Sequence, residues 1–188
     1  MLKREACLLR AMARTDLDLV LQWRNQERIR QAMYTDHIIT WNEHQDWYER
    51  IVREQATMHF VFEYERRPLG VVNVVDINRL HRRCVWGFYI GEEDAPRGAG
   101  TAMGFLALER LFAAEGFHRV VGEALAGNEA SIKYHQRLGF AREGRFVDHV
   151  VKGGRYADVI SFALIDRVWQ AKRDALAVEL FAGDTQHV

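Results

Sequence analysis

Between Gly91 and Ala102 the chain reads G-E-E-D-A-P-R-G-A-G-T-A. Glycines at 98 and 100 let the backbone approach another group more closely than a side chain would allow. The apolar run from Met103 to Ala114 predicts a helix that opens directly out of this stretch. The first N–H groups of such a helix have no partner inside it, and its dipole favours negative charge there. Arg97 adds a charge-assisted donor. These features predict a diphosphate cradle built from Arg97, Gly98, Ala99, Gly100, Thr101 and Ala102. It is not a P-loop, because Thr101-Ala102 follows Gly100 where a Lys-Ser/Thr pair is needed. It also lacks the third glycine of the dinucleotide fingerprint, since Met103 stands there.

Two further stretches carry candidate chemistry. Glu123 interrupts an otherwise apolar strand, Val120 to Leu125. A lone carboxylate there is costly to bury unless paired or partly solvated, so Glu123 is either a surface group on the other face or a group held there for chemistry. From Gly127 the chain reads G-N-E-A-S-I-K-Y-H-Q-R-L-G-F to Phe140, with Asn128 as helix cap and Gly139 as its end.

The elements that must position these residues follow from periodicity and caps. Strands are predicted at Cys7–Met12, Met58–Tyr64, Leu69–Ile77, Cys84–Ile90, Arg119–Leu125, Phe140–Val151 and Tyr156–Ile165. Helices are predicted after Thr15-Asp16, after Thr40 with Glu43 completing a capping box, over Thr101–Glu115, after Asn128, and from Asp166 to about Phe181. Arg24 to His37 reads as an irregular aromatic stretch, and Gly183 onward as a frayed tail. The expectation is an α/β chain with a mixed sheet of about seven strands and helices on both faces. The 188 residues suit a single domain, 1–188, with its core at about 7–165. The last helix would either cap the sheet or make a homodimer contact.

Bulk composition narrows the function. Lys plus Arg equals Asp plus Glu at 26 each, which offers no net field for nucleic acid or an anionic membrane. Two distant cysteines and scattered histidines predict neither disulfides nor a metal site. The first apolar patch is broken by Arg10, and no run would span a bilayer, so a cytoplasmic protein is expected.

The pattern R-x-x-G-x-A, Arg97 through Gly100 to Ala102, resembles the acyl-CoA pyrophosphate loop of the GNAT N-acetyltransferase superfamily. The Asn128–Phe140 segment is similar to that family's N-x-x-S-x-x-x-Y-x-x-x-G-F, and the element order agrees over about residues 7 to 165. The resemblance implies acetyl-CoA as cosubstrate and no metal. It implies the acetyl carbonyl against N–H groups of Phe88, Tyr89 and Ile90, and the pantetheine arm near Asn128 and Ser131. The strand of Glu123 would edge the acyl site, which implies Glu123 as a general base acting through water. The family tyrosine falls on His135, with Tyr134 one residue earlier, so His135 is expected to face the CoA sulfur and Tyr134 to be core. An unperturbed imidazolium near 6.5 protonates a thiolate near 8.5 downhill by roughly 2.7 kcal/mol, whereas a tyrosine near 10 does so uphill.

A narrower resemblance covers Trp23-Arg24-Asn25, Met33-Tyr34, His44 with Trp47, Gly70-Val71 to Ile77-Asn78, Gly87-Phe88-Tyr89 and Glu143-Gly144-Arg145. These are similar to the N-acetyltransferases of the pseudaminic-acid pathway. That implies a UDP-linked 4-amino-4,6-dideoxy sugar held by Arg24, Met33, Tyr34, His44 and Trp47. Acetyltransferases of ribosomal-protein N-termini and of polyamines also carry an R-N segment after the first helix. A polyamine acceptor predicts a carboxylate-rich pocket, for which this segment offers Asp36 and Glu43. A non-catalytic acyl-CoA-binding module is the alternative of another class.

Overall fold

The computed structural model describes residues 1–54 and 56–181. Seven strands form one sheet: β1 (Cys7–Ala11), β2 (Met58–Tyr64), β3 (Arg67–Asn78), β4 (Arg83–Ile90), β5 (Arg119–Leu125), β6 (Ala141–Lys152) and β7 (Arg155–Ile165). Their order across the sheet is β1-β2-β3-β4-β5-β7-β6. All neighbours are antiparallel except β4 and β5. The fold is the expected α/β mixed sheet. Strand boundaries differ from the sequence expectation by two residues or fewer, the usual margin at element ends. The expected frayed tail from Gly183 lies outside the described residues.

The helices are α1 (Leu17–Arg24), α2 (Glu27–Ala32), α3 (Trp41–Arg53), α4 (Ala99–Glu109), α5 (Glu129–Leu138) and α6 (Asp166–Leu180). Strand alternation decides which face each covers. On β3, Val72 and Val74 join the larger core with Met103, Leu108 and Leu138 of α4 and α5, while Val71 joins Val20, Trp23 and Ile29 of α1 and α2. Helix α6 caps the first face: Trp169 is buried against Phe105 and Phe112, and its indole N–H donates to Glu109 at 2.7 Å.

Local chemistry accounts for the helix ends. Thr40 Oγ1 accepts from the Glu43 N–H, and the Glu43 carboxylate accepts from the Thr40 N–H at 2.7 Å, the expected capping box. Asn128 Oδ1 accepts from the Ser131 N–H at 3.0 Å, and Gly139 ends α5 at φ 97°, a left-handed position that suits glycine. The irregular reading of Arg24 to His37 missed α2. That helix has six residues, E-R-I-R-Q-A, one buried side chain and no side-chain cap, so it carries no periodic signal.

His135 belongs to the core. It is 1% exposed, stacks on Phe162 with ring centroids 4.8 Å apart, and its Nδ1–H donates to the Ser131 carbonyl at 2.8 Å. Its Nε2 occupies space a side chain at Gly122 would take, since a Cβ there would lie 2.3 Å away. Burial pulls its pKa down to about 4. A histidine that is neutral when folded binds protons on unfolding, so stability is fully present above about pH 6.5 and is lost as pH falls toward 4. The loss attached to His135 is about 3 kcal/mol. His44 and His59, also lowered by burial, add in the same direction. Urea unfolding between pH 7 and pH 4 should therefore show a shallower decline in His135→Leu than in the natural chain. Equal declines contradict this reading.

Candidate active site

The parallel strands β4 and β5 pair only from Arg83/Arg119 to Trp86/Gly122. Beyond that point they part. Gly87–Ile90 remains bonded to β3, and Glu123–Leu125 to β7. The Gly91 N–H donates to the Leu69 carbonyl at 2.8 Å, so by antiparallel alternation Tyr89 and Gly87 also bond toward β3. Phe88 and Ile90 therefore turn their N–H and C=O groups into the gap. Arg28 of α2 donates to the Ile90 carbonyl at 3.0 Å, taking the place of a missing strand. The N–H groups are left to a ligand. A cleft of about 410 Å³ occupies the gap, lined among others by Phe88, Tyr89, Ile90, Gly100, Glu123, Asn128, Ser131 and Tyr134.

The glycine loop sits at one end of this cleft. Gly98 holds φ 94° as the residue before α4, with no side-chain cap on the helix. The Ala99 N–H bonds the Pro96 carbonyl and the Ala102 N–H bonds the Gly98 carbonyl. Among the described residues, the N–H groups of Gly100 and Thr101 between them have no backbone acceptor. Gly98, Ala99 and Gly100 line a groove with Arg28, while Thr101 and Ala102 are buried and Arg97 stands exposed. The loop fits a diphosphate: free amides at a helix N-terminus meet an open groove. Glu92 beside it pairs with Arg67 and accepts from the Trp23 indole N–H at 2.7 Å.

The expected placements of the adjacent pair on α5 are reversed in the structure. Tyr134, not His135, lines the cleft. Its hydroxyl lies over Gly104, where a Cβ would come within 2.3 Å, and donates to the Gly100 carbonyl at 2.6 Å. Burial raises its pKa above the ordinary tyrosine value, so it keeps its proton at neutral pH. His135 does not line the cleft, and with a pKa near 4 about one molecule in a thousand carries the imidazolium at pH 7. Packing sets the register: Gly104 makes room for a phenol and Gly122 for an imidazole.

The predicted acceptor residues divide between two places. Arg24, Met33, His44 and Trp47 line a cavity of about 340 Å³ with Tyr89, Asn73 and Glu43. His44 and Trp47 stack there, with ring centroids 5.1 Å apart. Arg24 donates to the Thr35 carbonyl at 3.2 Å, and its Nη1 is buried without a partner among the described residues. Tyr34 lies elsewhere: its hydroxyl donates to Glu123. Met33 and Tyr89 line both the cavity and the cleft, so the two adjoin. Two contributors were not among the expected site residues: Arg28, on the unrecognised α2, and His149 of the β6–β7 hairpin, whose strands the sequence does show. The His149 ring lies 6.4 Å from that of Tyr34, and Phe146 packs on the His149 ring with centroids 4.9 Å apart.

The cradle has a direct test. A Cβ at Gly100 would meet Ile90 Cγ1 at 3.7 Å and Tyr134 Cε2 at 3.8 Å, ordinary contacts that the fold tolerates. Gly100→Val should therefore fold while its side chain fills the groove. The KM for acetyl-CoA should rise by roughly tenfold or more, the cost of one lost charge-assisted contact. Unchanged affinity by calorimetry contradicts the assignment.

Comparison with known proteins agrees with this geometry. The description "Acetyltransferase (GNAT) domain" matches residues 7–141. The spermidine N(1)-acetyltransferase of Escherichia coli (strain K12) is 26% identical over 87% of this chain and 88% of its own length. That of Vibrio cholerae is 26% identical over 80% of this chain and 88% of its own. A crystal structure of spermidine N-acetyltransferase from Vibrio cholerae in complex with CoA and spermine superposes with a TM-score of 0.82. It is 22% identical and covers 88% of this chain and 99% of its own, a likeness of fold.

These relatives correct one expectation. The narrower resemblance pointed to a UDP-linked amino sugar, but the matched enzymes are named for spermidine. The UDP-sugar reading gives way to the polyamine alternative. The misleading signal was the R-N segment with its aromatic surroundings, because that segment is shared between acetyltransferases with different acceptors. Among the described residues no helix is long and apolar enough to cross a membrane, and no cluster could hold a metal. The loop, the parted strands and the match over residues 7–141 converge: the chain belongs to the acetyltransferase (GNAT) family, as a GNAT-type N-acetyltransferase that uses acetyl-CoA.

Proposed function

We propose that this chain transfers acetyl from acetyl-CoA to a primary amine of a polyamine-type acceptor. The observation that carries the reading is the placement of Glu123 on β5, one residue past the last β4–β5 pair, in the same cleft as Tyr134 and the free strand amides. The spermidine acetyltransferases matching most of the chain support the acceptor class. Bound acetyl-CoA supplies a thioester carbonyl and a thiolate leaving group.

The chain's own groups divide the remaining work. The Phe88 and Ile90 N–H groups face the gap and offer donors to a carbonyl oxygen that gains charge. Glu123 takes the proton of the incoming ammonium, directly or through water. Tyr134 keeps its proton and donates toward the departing sulfur by rotating its hydroxyl away from the Gly100 carbonyl. Gly98, Ala99 and Gly100 hold the diphosphate, with Asn128 and Ser131 beside the pantetheine arm.

Arg24 favours a second reading of the acceptor. The cavity beyond Tyr89 presents a guanidinium, and the carboxylate it contains, Glu43, is engaged by Thr40 and His37. A chain of several ammonium groups is repelled there. An amine with one positive charge and an anionic or carbonyl oxygen at its far end suits that cavity better. Arg24→Gln separates the two, because it should speed a polycation and slow an acceptor that carries an anion.

Acetyl-CoA turnover with spermidine, putrescine and a short peptide side by side tests the function. Turnover of the polyamines above the peptide is expected. No turnover of any polyamine at millimolar concentration sinks the acceptor class. Glu123→Gln should lower kcat by roughly 10²–10⁴-fold with little loss of stability. In single turnovers Tyr134→Phe should lose acetyl transfer; a fully active Tyr134→Phe removes that residue from the mechanism.

A further inference from the structure

Tyr34 reaches Glu123 from a segment 89 residues away in sequence, and nothing in its own secondary structure holds it. Residues 33–40 form neither helix nor strand. They are fixed instead by hydrogen bonds to their carbonyls and amides. Asn25 makes two at 2.8 Å with the Ile39 backbone, and Arg30 donates to the Asp36 carbonyl at 2.7 Å. A further anchor comes from the β6 edge of the sheet. Lys152, at the tip of the β6–β7 hairpin, donates to the Met33 carbonyl at 2.7 Å and the Arg30 carbonyl at 3.1 Å, and the Gly153 N–H donates to Asp36 at 3.1 Å. Its side chain is 16% exposed, so the ammonium is committed to these acceptors.

We propose that Tyr34 is a positioning residue for Glu123, and that Lys152 positions Tyr34 by clamping the loop at Met33. The inference rests on the reading of Glu123 as the proton acceptor. The Tyr34 hydroxyl donates to one carboxylate oxygen, Oε2, which leaves Oε1 for the amine or its water. The bond also stops the side chain from rotating out of the gap. Burial and this same bond raise the phenol's pKa, so Tyr34 stays a donor across the working pH range.

The other ionisable groups facing Glu123 do not duplicate this. Arg28 of α2 lines the same cleft but is committed to the Ile90 and Gly91 carbonyls. Tyr134 of α5 bonds the Gly100 carbonyl, and Tyr89 of β4 faces Arg24. His149 of β6 meets the Tyr34 ring edge to face, with centroids 6.4 Å apart.

The test compares Glu123→Gln, Tyr34→Phe, Lys152→Met and Lys152→Arg in the full chain, with acetyl-CoA and the best amine from the panel. Tyr34→Phe should lower kcat by roughly tenfold, the worth of one charge-assisted hydrogen bond, and leave the KM for acetyl-CoA unchanged. Lys152→Met should lower kcat in the same way by less, Lys152→Arg should restore it, and Tyr34→Phe/Lys152→Met should be no worse than Tyr34→Phe alone. If Glu123→Gln is inactive while Tyr34→Phe keeps the natural kcat, the inference fails and the base reading stands. If Glu123→Gln keeps full activity, the base reading fails and the inference with it. A Lys152→Met variant that loses thermal stability with an unchanged kcat overturns the clamp.

Discussion

The structure depends on where β4 and β5 stop pairing. Two parallel strands that run together to Trp86 and Gly122 and then diverge leave a row of backbone groups without partners in the middle of a sheet. Unpaired buried amides are costly, so such a split persists only if something else satisfies them. Part of that is internal, since Arg28 closes the Ile90 and Gly91 carbonyls from α2. The remainder, the N–H groups of Phe88 and Ile90, is what the proposed reaction offers to the acyl donor. Aromatic side chains of β4 pack against α5 and the residue that follows it. Trp86 stacks on Phe140 with centroids 5.1 Å apart, and Phe88 lies 4.4 Å from Tyr134.

Much of this architecture is legible in the residues themselves. Strand alternation, the Thr40–Glu43 capping box and the Asn128 and Gly139 boundaries of α5 carry local signals, and each element appears with them. The glycine loop is legible for the same reason. Two glycines directly before an apolar helical run mark a backbone that must turn sharply, and Gly98 takes the left-handed position there. Helix α2 is not legible, because six residues with one buried side chain have no period to read.

The site is less legible than the fold because its contacts are long-range. Motif spacing put His135 at the sulfur. Which of two adjacent residues faces the cleft is decided by Gly104 and Gly122, on elements far away in the chain. The Tyr34–Glu123 contact and the Lys152 clamp join residues 89 and 119 positions apart, and neither residue type advertises its partner. The acceptor was misread on a related ground. An Arg-Asn segment among aromatics specifies a pocket, but the charge of its ligand depends on how Arg24 and Glu43 are already engaged.

The central claim is that the parted strands and the start of α4 receive acetyl-CoA through backbone amides. Hydrogen–deuterium exchange resolved to single amides, with and without saturating acetyl-CoA, tests it most directly. The account predicts slowed exchange at Phe88, Ile90, Gly100 and Thr101, with Val71 and Val72 of β3, already paired, unchanged. Unaltered exchange at Phe88 and Ile90 while acetyl-CoA binds contradicts it, because the donor would then sit outside the gap.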